Sequence, residues 1–387
     1  MRFAVDAHAI GRHLTGNEVY VRNLLNGFAA VDGESEFITY LSTDDAAPWV
    51  PPQFPVRRIA GNPFVRLGCD LALKLRRDRP DLLHVQYTAP LACPVPVVVS
   101  VHDVSFLEHP DFFQLSRSVQ LRFTVRRTIQ RAARIVTGSE FSRQAIARAY
   151  SLDPGRISVV HNAAADGFHQ IRPQVARGQV RERFGLAAPF ILSVGDLQPR
   201  KNHTGLIAAF TALLRSHPEL PHELVLAGKE TWFAKHVRRA AQDSGVASRI
   251  RFLGFVSDED LLHLYNSCDL FCFPSFYEGF GLPALEAMAC GAAVACSNTS
   301  ALPEVVDGAA LLFDPYKSSE ITRAMLDLLL DPELRERMGR LGSRRATHFS
   351  WRKAARQTLD VYYQVAETSR PDASRLTTAS HASTLRL

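Results

Sequence analysis

No stretch of this chain approaches the ~18–20 uninterrupted apolar residues that a membrane span requires, so none of it reads as a transmembrane helix. Cysteine is sparse: the six residues at 69, 93, 268, 272, 290 and 296 form no Cys-x-x-Cys pair. Cys268 and Cys272 stand four apart, but no His or further Cys lies at zinc-like spacing around them. The plain reading is thiols buried as small hydrophobes, which fits a cytosolic, reducing location. The body carries no low-complexity tract and no internal repeat beyond an echo between its two halves. The opening Met-Arg-Phe-Ala-Val-Asp reads straight into a strand, which leaves no room for a signal peptide.

Acid is missing locally, although the formal charge is only +6. Between Val65 and Pro80 stand Arg66, Lys74, Arg76, Arg77 and Arg79 against two acids. Between Gln114 and Arg148 stand eight arginines against Glu140 alone. There Arg127, Arg131 and Arg134 follow helical spacing, while Leu115, Val119 and Phe123 share another face. One reading is a solvated helix face. The other is docking on anionic lipid head groups, which makes the protein peripheral on the inner face of the cytoplasmic membrane. Nucleic acid is disfavoured as a partner, because the arginines are expected to lack interleaved exposed aromatics.

What is present is length and alternation. With 387 residues the chain exceeds one hydrophobic core, so two domains are expected. Apolar runs bounded by turn residues alternate with amphipathic stretches, the pattern of parallel α/β architecture. The clearest predicted strands are Phe3–Ala7, Leu82–Gln86, Val97–His102, Ile135–Thr137 and Ile157–Val160 in the first half. In the second half they are Phe190–Gly195, Glu223–Ala227, Ile250–Leu253, Leu270–Phe273, Ala293–Ser297 and Ala310–Phe313. The polar stretch Asp166–Arg183, with Pro173, has no strand signal and marks a junction. The expected organisation is a domain at 1–170, a linker at 171–187, a domain at 188–349, a helix at 350–366 and a disordered tail at 367–387. Ligands bind open parallel sheets at the carboxyl ends of strands, so two such domains are expected to face each other across one cleft.

The candidate chemistry falls just after strands. Glu278 and Glu286 lie in Pro-Ser-Phe-Tyr-Glu-Gly-Phe-Gly-Leu-Pro-Ala-Leu-Glu at 274–286. The first is expected to close a strand and open a glycine turn, and the second to lie about one turn into the next helix. Such a helix N-terminus presents free backbone N–H groups to a phosphate, and flanking carboxylates accept hydrogen bonds from hydroxyls. A ligand with hydroxyls on both sides of a phosphate is, most simply, a sugar nucleotide. Gly195-Asp-Leu-Gln-Pro-Arg200-Lys201-Asn202 delivers two cations at a strand end, suited to a departing diphosphate, although an Arg-Lys pair in a loop is also an ordinary surface feature. Gly228-Lys229 repeats the strand–glycine–cation pattern, and the backbone at Phe255 and Val256 is placed to read a base edge. His102 ends a strand, either as a sugar contact or proton handler or as a satisfied structural histidine. Gly16, in Thr-Gly-Asn-Glu at 15–18, lies between the first strand and first helix, where the loop can touch a phosphate.

These motifs together resemble the retaining nucleotide-sugar glycosyltransferases of the family four type, across nearly all of residues 1–366. The resemblance rests on Val194-Gly195…Pro199-Arg200-Lys201-Asn202, Leu226-Ala-Gly228, Phe252-Leu-Gly254 and Pro274-Ser275…Glu278-Gly-Phe-Gly-Leu-Pro283…Glu286-Ala287…Gly291. It implies the GT-B fold: an N-terminal acceptor-binding and a C-terminal nucleotide-sugar-binding Rossmann-like domain facing across a cleft, with the last helix crossing back to the first. It also implies roles. Glu286 binds ribose hydroxyls, Glu278 contacts the transferred sugar, and the backbone of Gly279, Phe280, Gly281 and Leu282 lies near the sugar and phosphate. Arg200 and Lys201 hold the diphosphate, and His102 approaches the donor sugar. The first loop lacks the paired glycines of many members, and Asp196 stands where many carry Arg. The family works without a metal, and Asp258-Glu-Asp260 reads as a helix cap; no cofactor is expected.

The expected reaction is sugar transfer, with retention, to a glycan or lipid-linked acceptor in bacterial envelope polysaccharide synthesis. His-Asp-x-x-Phe at 102–106 and the segment Ser139–Arg143 look like envelope mannosyl- or rhamnosyltransferases, which favours a GDP-sugar over a UDP-sugar. The rival readings are a glycosidase, a sugar-nucleotide epimerase and a non-catalytic nucleotide-sugar-binding protein.

Overall fold

The structure, a computed structural model, describes residues 1–12 and 15–369, with the backbone alone at Thr15. The tail expected from 367 on therefore falls outside the described residues, apart from 367–369, which belong to the last helix.

Two sheets organise the chain. The first has the order β3-β2-β1-β4-β5-β6-β7, with β1 (Arg2–Asp6), β2 (Glu36–Leu41), β3 (Val56–Arg58), β4 (Leu82–Gln86), β5 (Val97–Ser100), β6 (Arg134–Thr137) and β7 (Ile157–Val159). The second has the order β10-β9-β8-β11-β12-β13, with β8 (Phe190–Val194), β9 (Glu223–Ala227), β10 (Ile250–Gly254), β11 (Leu270–Phe273), β12 (Val294–Ser297) and β13 (Leu311–Phe313). Every neighbouring pair in the second sheet is parallel. Both sheets contain the doubly wound order 3-2-1-4-5-6, the Rossmann arrangement. In the second, strand order reverses between β8 and β11, and that is where such sheets bind ligands.

Strands β2 and β3 were not among the runs read from sequence. Strand β2, Glu-Phe-Ile-Thr-Tyr-Leu, is polar at its first position and carries a threonine in its middle, and β3 is three residues of which two are arginine. Their place in the sheet comes from parallel pairing with β1 and β2, not from a strong local pattern.

The second sheet shows why its strands are apolar on both faces. Ile191, Leu224, Leu226 and Cys272 pack with Leu206, Phe210, Val237 and Met325 from one set of helices. Their strand neighbours Phe190, Leu192, Val225, Phe271 and Phe273 pack with Val180, Leu264, Tyr265 and Met288 from another. Alternation along a strand sends successive side chains to opposite faces, and each fully buried one contributes about 1.5–3 kcal/mol. Of the cysteines, Cys272, Cys290 and Cys296 are buried as expected, whereas Cys69 is exposed.

By compactness the chain divides into Met1–Ser100 with Thr128–Ile135 and the chain from Arg356, and Val101–Arg127 with Val136–Ala355. The expected linker holds the helix Pro173–Phe184. The last helix, Trp351–Ser369, brings Tyr362 against Phe3, Phe28 and His84 of the first unit. His84 is buried there between the Tyr362 and Ser100 hydroxyls.

Candidate active site at the switch point of the second sheet

Three strand ends build one wall of the site. Gly195 N–H donates to Ala227 O at 2.8 Å, and Gly228 N–H donates to Gly254 O at 2.7 Å. A Cβ on Gly228 would lie 2.0 Å from Gly195 O, so only glycine lets these loops close on each other. A Cβ on Gly195 would lie 3.0 Å from Lys201 Cδ and Cε, because the lysine stem runs along that backbone. Lys201 itself ends the short 3-10 turn Pro199–Lys201. Asn202 follows at φ +53° as the cap of the helix His203–Ser216. Its oxygen accepts from Gly205 N–H at 3.2 Å, and its amide donates to Pro315 O at 2.9 Å.

Glu278 is not at a strand end. Strand β11 stops at Phe273, and the glutamate lies five residues on in an irregular loop, where its N–H donates to Ser300 Oγ at 2.9 Å. That loop reaches back to the turn after β8. Lys201 Nζ lies 2.7 Å from Glu278 Oε1, and Arg200 Nη1 lies 2.7 Å from Oε2. The arginine also donates to Tyr277 O at 2.7 Å, while Phe276 N–H donates to Arg200 O at 2.9 Å. Lys201 Nζ further sits 4.7 Å from the Phe273 ring centre. Burial alone would raise the Glu278 pKa; Arg200 and Lys201 outweigh it and hold the carboxyl down to about 2. Burial pulls the Lys201 pKa below the ordinary lysine value, against the pull of Glu278. The three groups, Lys201 and Glu278 buried and Arg200 half-buried, form a triad with formal charge +1.

The next residues are fixed by close contacts. A Cβ on Gly279 would lie 2.1 Å from His102 O, so His102 and the glycine loop are in backbone contact. Ser139 Oγ donates to Gly279 O at 2.7 Å, and Ser142 Oγ lies 3.0 Å from both Gly279 O and His102 O. Gly281, at φ +105°, leads into the helix Leu282–Ala289, where Phe280 packs with Leu285 and Val305 and Leu282 lies at the edge of that cluster. Glu286 is buried in this helix and accepts from Tyr265 OH at 3.0 Å. Burial, then Glu286, pushes the Tyr265 phenol well above its ordinary pKa. His102 is half-buried, and desolvation lowers its pKa to about 4 despite Asp103, so the imidazole is neutral at pH 7.

Thus Arg200, Lys201, Glu278, Gly195, Gly279 and His102 converge. Phe255 is exposed, with Lys229 Nζ 5.7 Å from its ring centre, and Val256 is buried beside it in sequence. Gly16 lies in the first unit, exposed at the start of the helix Thr15–Val31. Ser257 caps the helix Asp258–Ser267, and Asp260 bonds back to it and pairs with Arg183 at 2.7 Å, so this aspartate is part of a cap. Among the described residues, no group of three His, Cys, Asp or Glu is arranged to hold a metal ion. Sequence reasoning missed Glu304, which accepts from the N–H groups of Glu140 and Phe141 at 2.8 and 3.1 Å and caps the helix Glu140–Tyr150. It also missed Ser139, Ser142, Ser300 and Tyr265 as positioning groups; a serine before an acidic helix start was the one available signal, at Ser139.

Two family models match: Glycosyltransferase Family 4 over residues 14–165 and Glycosyl transferases group 1 over residues 179–345. The chain is 35% identical over 266 residues to O-antigen chain mannosyltransferase B of Escherichia coli, covering 68% of this chain and 69% of that protein. It is 33% identical over 243 residues to the serotype-specific mannosyltransferase WbdA of E. coli, where the match covers 62% of this chain but only 30% of the longer relative. The structure of Anabaena HepE, solved with UDP and glucose, superposes with a TM-score of 0.75 at 18% identity, covering 94% of this chain and 100% of that one. With its Rossmann-ordered sheets and both family segments in sequence, the chain belongs to the family four glycosyltransferases.

Proposed function

We propose that this glycosyltransferase moves a hexose, mannose first, from a nucleotide diphosphate sugar to a hydroxyl of a glycan or lipid-linked acceptor of a bacterial envelope polysaccharide. The observation that carries this reading is the Arg200–Lys201–Glu278 triad at the strand-order reversal. A triad of net +1 charge attracts a diphosphate, and its two cations can follow the negative charge that grows on the leaving oxygen. The relative named for O-antigen mannosyl transfer supports mannose and the envelope acceptor. HepE supports a nucleotide donor in general, since it was solved with UDP; a GDP-sugar is the donor we favour here.

In the proposed step the acceptor oxygen attacks the anomeric carbon on the face the diphosphate leaves. The carbon–oxygen bond to phosphate breaks as the new glycosidic bond forms, and a diphosphate oxygen takes the acceptor proton. Configuration is retained. Glu286 grips the ribose, Glu278 orients the donor sugar while it spaces the two cations, and neutral His102 donates or accepts at a sugar hydroxyl. Backbone amides of Gly279–Leu282 face the sugar and phosphate, and the backbone at Phe255–Val256 reads the base. The two cations take the part a metal ion plays in other transferases, so the reaction proceeds without one.

The test begins with thermal shift against GDP and UDP, since a ligand stabilises with the logarithm of its excess over Kd. The preferred diphosphate sugar is then supplied with an envelope-glycan acceptor in chelator, and the product anomer is read by NMR. An inverted anomer, or activity abolished by chelator, overturns the mechanism. Conversion of the donor without acceptor would make the protein an epimerase instead.

A further inference from the structure

The helix Leu115–Arg131 has two unlike faces. Ser118, Val125, Thr128 and Ile129 are buried and fasten it to the fold, with Ser118 Oγ donating to Phe106 O at 3.0 Å. The opposite side is apolar and open: Leu115 is 79% exposed, Val119 57% and Phe123 73%. These three stand on one i, i+4 row, which Arg127 and Arg131 continue, while Arg122 and Arg126 occupy the adjoining row. With Arg117 the helix holds five arginines and no aspartate or glutamate.

We propose that this helix is a docking surface for an anionic phospholipid bilayer, lying in the plane of the interface. A polar face rich in arginine beside large apolar side chains is the composition of an interfacial helix. Leu115, Val119 and Phe123 enter the boundary between head groups and acyl chains. The exposed Arg122, Arg126 and Arg131 stretch their apolar stems along that boundary and set their guanidinium groups among lipid phosphates. Charge argues for lipid over a second copy of this chain. A symmetric contact through this face would bring five arginines of each copy together with no acid from either helix. No helix among the described residues is long and apolar enough to cross a membrane. The proposal is independent of the assigned donor and acceptor.

The experiment is co-sedimentation of the full chain with vesicles of phosphatidylcholine, alone or with about 30% phosphatidylglycerol. Binding is expected to the anionic vesicles, weak on the neutral ones, and reduced as salt rises from ~0.1 to ~0.5 M. Arg122→Ala with Arg126→Ala is expected to weaken binding, each by on the order of fivefold. Leu115→Ser with Phe123→Ser is expected to abolish it with an unchanged unfolding temperature, because both side chains are exposed. Phe123→Trp keeps the apolar contact and is expected to be quenched by brominated lipid. Equal binding by all variants, absent binding to anionic vesicles, or an unquenched Trp at 123 overturns the proposal. A concentration-dependent dimer that Phe123→Ser dissociates, without vesicle binding, assigns the face to a second copy instead.

Discussion

Glu278 and Glu286 are the same residue type, eight positions apart and both buried, yet the fold treats them differently. Each oxygen of Glu278 meets a cation at 2.7 Å, whereas an oxygen of Glu286 accepts from a neutral phenol at 3.0 Å. One carboxylate is neutralised by full charges and the other is held by a hydroxyl dipole. Glu278 therefore belongs to the charge balance of the site: it keeps two like cations side by side. Glu286 instead accepts from the Tyr265 hydroxyl within its own helix packing. A buried charge separated from its counter-charge costs far more than a buried hydrogen bond that loses one partner.

The largest expected effect follows from that asymmetry. Glu278→Gln keeps the shape but removes the carboxylate that buried Lys201 and half-buried Arg200 share, and is expected to lower stability by about 3–5 kcal/mol in urea unfolding. A loss under ~1 kcal/mol, the scale of exposed pairs, would show that the triad is already solvated and would dissolve the contrast with Glu286. Next in size, Lys201→Ala is expected to lower kcat on saturating donor by ~10²–10³ with a smaller change in KM, because the charge acts on the transition state. Glu278 retains Arg200 in that variant, so the fold survives. Full kcat in Lys201→Ala would remove the lysine from the chemistry.

The parts of the site legible in sequence are those written into short contiguous motifs. Gly195, Gly228 and the run 278–286 announce strand ends and turns through residues that only a tight backbone requires, and all lie where the second sheet reverses its strand order. Strands buried on both faces are equally legible, since Phe-Ile-Leu-Ser-Val and Leu-Phe-Cys-Phe are short, nearly continuous apolar runs bounded by turn residues. What escaped reading was pairing over distance. Glu278 and Lys201 were each expected to meet the donor, yet 77 positions separate two opposite charges that meet each other first. Glu304 lies 164 positions from the amide it caps, and no local pattern links them. Strand β3, with its two arginines, depends on β2 beside it for its existence.

Acid titration separates the triad from two neutral histidines, His102 and His203, the buried first residue of the helix that follows Lys201. The Glu278 carboxyl is held at about 2 against an ordinary 4.5, so its stabilisation is complete above pH 4.5 and is lost as pH falls from there through 2. His102 and His203 are lowered by burial to about 4 and about 3, from 6.5. Across pH 6.5 to about 4 the unfolded chain binds protons that these buried rings refuse, so stability falls earlier for a different reason. Urea midpoints taken from pH 7 to pH 3 are expected to decline in both windows. In Glu278→Gln the decline from 6.5 to 4.5 persists and the glutamate's share of the lower one disappears. A flat upper window in the wild type would mean that neither ring is kept neutral by the fold.

The smallest expected effect is the mirror of the first. Glu286→Gln removes a charge but keeps an oxygen that can accept from Tyr265, so that hydrogen bond survives. Stability is expected to change by about 1 kcal/mol or less. Donor affinity should still fall, because a neutral amide accepts more weakly than a carboxylate from the ribose hydroxyls, by about 1 kcal/mol or roughly fivefold in Kd. Calorimetry with the donor and urea unfolding on the same preparation measure both numbers. If Glu286→Gln destabilises as much as Glu278→Gln while donor Kd stays put, Glu286 is a structural charge like its neighbour, and the ribose contact must be sought elsewhere.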